Sequence, residues 1–204
     1  MTETYSGLED QREYRTDYIH RQPLACKPST LSEAVKVVNF MKSRATNSRL
    51  FRELCEYLAS LHVSLLLHTE VSWLSRCKVL TRLFELKSEV QAFLLDHPFH
   101  LSVSVSDILW IQTLAYLADI FSELNELSMS LQSPGITIFN VHDRTEAMLK
   151  KANFWKQCLQ MNDSFLSENK IQLNEDIKRD ITDHLKQLQS TFKKYFPNKP
   201  GSNN

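Results

Sequence analysis

From Leu31 to Phe192 apolar residues recur every third or fourth position, with almost no stretch in which apolar and polar residues alternate strictly. Such a period puts one stripe on one face of a helix, whereas a half-buried strand needs alternation. The pattern predicts an all-α fold. Thr30-Leu31-Ser32-Glu33 has the form of a capping box, and Leu31, Ala34, Val37, Val38 and Met41 follow as one buried stripe. A second helix is expected from about Ser48 to His62, with Leu50, Phe51, Leu54, Leu58 and Leu61 sharing a face. Leu65-Leu66-Leu67 is too short to assign by period and reads as a buried strand or a helical turn.

A long helix is predicted from Trp73 to Leu95 through Leu83, Leu86, Val90, Phe93 and Leu94, stopped by Asp96-His97-Pro98. Ser104-Val105-Ser106-Asp107 has the form of the next N-terminal cap. It would open the longest helix, with Leu114, Leu117, Phe121, Leu124, Leu127 and Leu131 on one side and Ser133-Pro134-Gly135 as its end. Val141, Met148, Ala152, Trp155 and Leu159 mark another helix. After a polar segment around Asn162 to Asn174, Ile177, Ile181, Leu185, Leu188 and Phe192 mark the last, ended by Pro197 and Pro200-Gly201. Polar residues 1–16 are expected to be a disordered lead-in, 17–197 one helical domain, and 198–204 a disordered tail.

Composition narrows this little. The 204 residues suffice for one core without disulfides, and 3 Gly with 6 Pro leave few tight hairpins. The formal charge of +0 gives no whole-chain pull toward DNA or an anionic membrane, so any nucleic-acid contact must be local. Cys26, Cys55, Cys77 and Cys158 are scattered, which predicts ordinary thiols in a reducing compartment. No apolar run approaches the ~20 residues that span a bilayer, so a soluble chain without a membrane contact is expected.

Candidate chemistry is sparse. Asp17 and His20 are two metal-ligating types at close spacing, but two ligands rarely hold an ion alone. In His97-Pro98-Phe99-His100 the proline breaks the helix that would align the two imidazoles. Lys150-Lys151 and Lys193-Lys194 read as solvated faces, as do Asp107, Asp119, Glu123 and Glu126. No Ser/His/Asp arrangement, P-loop or glycine-rich phosphate motif is present, and no small-molecule substrate is evident.

Five segments carry a resemblance. Asp17-Tyr18-Ile19-His20-Arg21-Gln22-Pro23-Leu24-Ala25 is followed by Asn47-Ser48-Arg49-Leu50 and by the run Leu66-Leu67-His68-Thr69-Glu70-Val71-Ser72-Trp73-Leu74-Ser75-Arg76-Cys77-Lys78-Val79-Leu80. Beyond these come Leu114-Ala115-Tyr116-Leu117-Ala118-Asp119-Ile120-Phe121 and Phe192-Lys193-Lys194-Tyr195-Phe196-Pro197. Together, over about 17–197, they resemble the hAT superfamily of DNA transposases, in its vertebrate domesticated, BED-zinc-finger-associated branch. Asp17 stands where that branch has Cys, Ser72 where it has Arg, and Cys77 where it has Gly.

The resemblance implies an irregular helical bundle corresponding to the helical insertion of such a transposase, without a complete RNase H-like sheet. The active enzymes hold two divalent cations on three carboxylates of that sheet. The matched region is expected to begin after the family's second aspartate and end before its glutamate, so no catalytic residue, metal or cofactor is expected. In active relatives the Trp matching Trp73 stacks on a base displaced as the DNA end forms a hairpin. Two functions follow as expectations: a catalytically inactive module acting through a protein partner in the nucleus, or a DNA-binding remnant using Trp73, Arg76 and Lys78. The bland alternative for Trp73 is a core aromatic that anchors its helix.

Overall fold

A computed structural model describes residues 28–66, 73–161 and 173–196, and the expectations for 1–27, 67–72, 162–172 and 197–204 lie outside them. Among the described residues the fold is all-α, with no strand. The helices are α1 Pro28–Ser43, α2 Ala45–Tyr57, α3 Trp73–Glu85, α4 Lys87–Asp96, α5 Ser102–Ser106, α6 Ile108–Leu131, α7 Ile138–Gln160 and α8 Glu175–Tyr195. Two compact units divide the chain, one of Lys27–Ser122 and one that includes Glu123–Asn204, with the boundary inside α6.

In the first unit α1 packs on α2 and α3, α2 on α4, and α4 on α3 and α5. Ala34, Val37, Val38, Met41, Phe51, Leu83, Leu86, Val90, Phe93 and Leu94 are all buried, as the periodicity predicts. α1 begins at Pro28, two residues before the expected cap, because proline's fixed φ and missing N–H suit a first turn. Thr30 is therefore buried inside the helix, and Glu33 accepts from the Trp110 indole at 2.8 Å instead of capping. α1 stops without glycine or proline. The Asn47 amide donates to the Phe40 carbonyl and the Ser48 hydroxyl to the Met41 carbonyl, so the next helix supplies donors for carbonyls left over at a helix end.

α2 ends at Tyr57, not His62, and Leu58 and Leu61 are exposed, not part of a buried face. The stop is Ala59 at φ 50, with the Ser60 N–H returning to the Cys55 carbonyl. This is a helix-terminating position where glycine is usual, because a Cβ there costs roughly 1–2 kcal/mol. Ala59→Gly is accordingly expected to raise the stability by about 1 kcal/mol, read as a higher urea midpoint at unchanged slope. The following loop is tied down: Ser60 donates to Glu89 at 2.6 Å, Arg82 donates to the Ser64 carbonyl at 3.3 Å, and His62 lies 3.2 Å from Glu85. Leu65 is buried there in irregular backbone, neither strand nor helix.

The helix expected from Trp73 to Leu95 is two. Leu86, at φ −99 and ψ 21, breaks it while its side chain stays buried and hydrogen bonds from Leu86 to Arg82 and from Val90 to Leu86 bridge the bend. The stop at His97 is as predicted, and His97 to His100 form a loop in which Phe99 stacks on Phe40. Ser104 does not cap α6, because a short separate helix, α5, occupies that stretch. Asp107 does so, accepting the Leu109 N–H at 3.0 Å.

In the second unit, Leu124, Leu127 and Leu131 at the end of α6 are buried, and Gly135, at φ 76, makes the expected turn. Thr137 and Asn140 form a reciprocal capping box for α7. α7 and α8 pack together over Met148, Ala152, Trp155, Leu159, Ile177, Ile181, Leu185, Leu188 and Phe192, all predicted positions. Between them the buried Gln189 accepts from the half-buried Lys156 at 2.6 Å and donates to the exposed Asn153 at 2.8 Å and to the Leu149 carbonyl at 3.2 Å. With both amide ends engaged, Gln189 fixes the pairing of the two helices without an unsatisfied group.

Candidate nucleic-acid interface

α3 begins at Trp73 and carries the three candidate DNA-contacting residues. The side chains of Trp73 to Arg76 lie outside the described residues, and that of Lys78 is exposed. Position 73 falls four, seven and eleven residues before Cys77, Leu80 and Phe84, all buried. At about 100° per residue this is the register of the buried stripe. Lys78 is five residues on, about 140° round the helix from position 73, so the register does not gather these two positions on one face. Cys77, which stands where the resembled family has glycine, is buried and lies 3.3 Å from the Ser122 hydroxyl, filling space within the first unit.

The described cysteines, Cys55, Cys77 and Cys158, are buried thiols in no disulfide. Burial pushes the Cys55 thiol up to about 11, with Glu89 and Glu56 adding to the effect, the opposite of what a nucleophile needs. Lys150 pairs with Glu146 at 2.9 Å and Lys151 with Glu123, so that lysine pair is a solvated, ion-paired face as expected, and Lys193 and Lys194 are exposed. Asp107 is an exposed cap, Glu126 is exposed and Asp119 is partly buried. The Asp17 and His20 pair lies outside the described residues.

One cluster escapes the sequence reading. His142, Asp143 and Glu146 on α7 place three ligand-type atoms within 4.8 Å of one another. Successive helical residues with a third one turn on give that geometry, a spacing legible in the sequence. The hydrogen bond from Lys150, and then its charge, hold the Glu146 carboxyl below its usual range. The arrangement is one of surface ion pairs along a helix.

The fold and these surfaces define an all-helical domain. The model of the FAM200/GTF2IRD2 helical domain matches residues 17–160, and the chain belongs to that family, one related to domesticated hAT transposases. The match closes at the end of α7, leaving α8 beyond it. No solved structure matches the chain at a significant level. Among the described residues no helix is long and apolar enough to cross a membrane.

Proposed function

We propose that this chain is a catalytically inactive, transposase-derived helical module, of the vertebrate domesticated hAT branch, that acts in the nucleus through protein association. The observation that carries this reading is the placement of large apolar side chains on secured parts of the surface. Tyr57 and Leu61 are 86% and 83% exposed, and Leu58 and Val63 accompany them, at a helix end and loop held by Glu89, Arg82 and Glu85. Single exposed apolar residues need no explanation. Four within seven positions, at a helix end and a loop secured by polar ties, are a concentration of exposed apolar side chains of the kind that protein partners cover. Ordering the loop beforehand lowers the entropy a partner must overcome.

Proximity labelling in cells, with wild type compared with Tyr57→Glu/Leu61→Glu, tests this. The expected result is a set of nuclear protein neighbours for wild type and its loss for the variant at equal abundance. A neighbour set unchanged by the substitutions would count against association through this surface. The second reading, a DNA-binding remnant, draws support from the exposed Lys78 and from the inherited position of Trp73.

A further inference from the structure

We propose that the corner between α1 and α2 is a contact surface for the phosphate backbone of duplex DNA, distinct from the Trp73 region and independent of the association reading. From Ala34 to Arg52 the sequence carries Lys36, Lys42, Arg44, Arg49 and Arg52 and no Asp or Glu, in a chain whose total charge is +0. The structure folds this stretch back on itself: the last turn of α1 and the first turn of α2 are joined through Asn47 and Ser48, with Arg44 as the connecting residue. Lys36 and Arg44 are separated by about 12 Å of helical rise, and Arg44 and Arg52 by the same distance along α2. Lys36, Arg44, Arg49 and Arg52 are exposed, Lys42 partly so.

A run of charge is most often a solvated, self-neutralising face. The second unit shows what that looks like: Lys150, Lys151, Lys178, Arg179 and Lys186 each have a carboxylate partner. At the corner, among the described residues, Arg49 has one, Glu53 at 3.9 Å. Lys36, Lys42, Arg44 and Arg52 meet no carboxylate among the described residues. Exposed Asn39, Ser43 and Thr46 lie among them, neutral donors of the type that accompany cations on phosphate.

Arg44 adds a second argument. It holds the N-cap of α2 with extended backbone and no side-chain cap, where Asn, Asp or Ser would stabilise the helix and where a cation opposes the helix dipole. A guanidinium there forgoes local stability and gains reach toward an external anion. DNA is the fitting anion because several cations spread over two helices, without a carboxylate partner among the described residues, match a linear array of phosphates, whereas a single small anion would need convergent donors.

The test is fluorescence anisotropy of the full chain on labelled duplex DNA across a salt series. Four phosphate contacts predict a log–log salt slope of about −3.6, hence roughly 150-fold weaker binding at 200 mM than at 50 mM salt. In Lys36→Gln/Arg44→Asn/Arg52→Gln the slope should fall to about −1, while the thermal midpoint holds or rises because Asn restores a cap. A matched control, Lys186→Gln/Lys193→Gln/Lys194→Gln, removes equal charge from α8 and should leave the slope unchanged. Should the corner variant melt below the assay temperature, Arg52→Gln alone is scored by a slope smaller by about one unit. Absence of binding at 50 mM salt, equal loss in the control, or tighter binding to phosphatidylserine vesicles or polyglutamate than to DNA would overturn the proposal.

Discussion

Phe192→Ala is expected to destabilise the protein by about 3–5 kcal/mol, a large part of a total stability of roughly 5–15 kcal/mol. Phe192 lies on the inner face of α8, buried, with Phe196 stacked 5.6 Å away, and its stripe packs on α7. Removing the ring loses its transfer free energy and leaves a cavity that two helices, registered by Gln189, cannot easily close. The prediction matters because α8 lies beyond the family match. If α8 were an appendage, urea denaturation would register a change of less than about 1 kcal/mol, and the second unit would have to be stable without it.

Trp73→Ala is the second large expected effect, about 3–5 kcal/mol of lost stability. The register of position 73 with Cys77, Leu80 and Phe84 is the reason. Were Trp73 instead an exposed platform for a displaced base, the same change would leave the unfolding midpoint in place and weaken single-stranded or hairpin DNA binding by roughly 1–3 kcal/mol. Chemical denaturation and fluorescence anisotropy on one mutant separate the two. A midpoint equal to wild type beside a clear drop in DNA affinity would refute the anchoring role.

The long apolar stripes were legible because nothing competed with them: Leu114 to Leu131 and Ile177 to Phe192 bury the residues their period selects. The breaks were not. Leu86 bends the chain between α3 and α4 without glycine or proline, and the neighbouring turns keep their hydrogen bonds, so local propensity carries no mark of it. Ala59 is similar, a left-handed residue chosen by the tied loop that follows and not by its own side chain. Ser104 and Thr30 illustrate an ambiguity in capping patterns, since a helix that starts earlier, or a short helix inserted before it, moves the cap without altering the motif. At the candidate site, Trp73 and Lys78 are close in sequence, but helical rotation carries them apart. The cations of the α1–α2 corner were hidden by a whole-chain charge of zero, which sums over the very regions that differ.

We propose that this chain retains a helical region of a transposase and works through its surfaces without chemistry. It is tested most directly by incubating purified protein with labelled DNA ends in Mg²⁺ or Mn²⁺ and resolving the products. No cleavage and no strand transfer are expected, because the two-metal chemistry of the resembled enzymes needs three convergent carboxylates, and the ligand-type cluster among the described residues, His142, Asp143 and Glu146, offers two. Metal-dependent cleavage that disappears when a single Asp or Glu of this chain is replaced would contradict it.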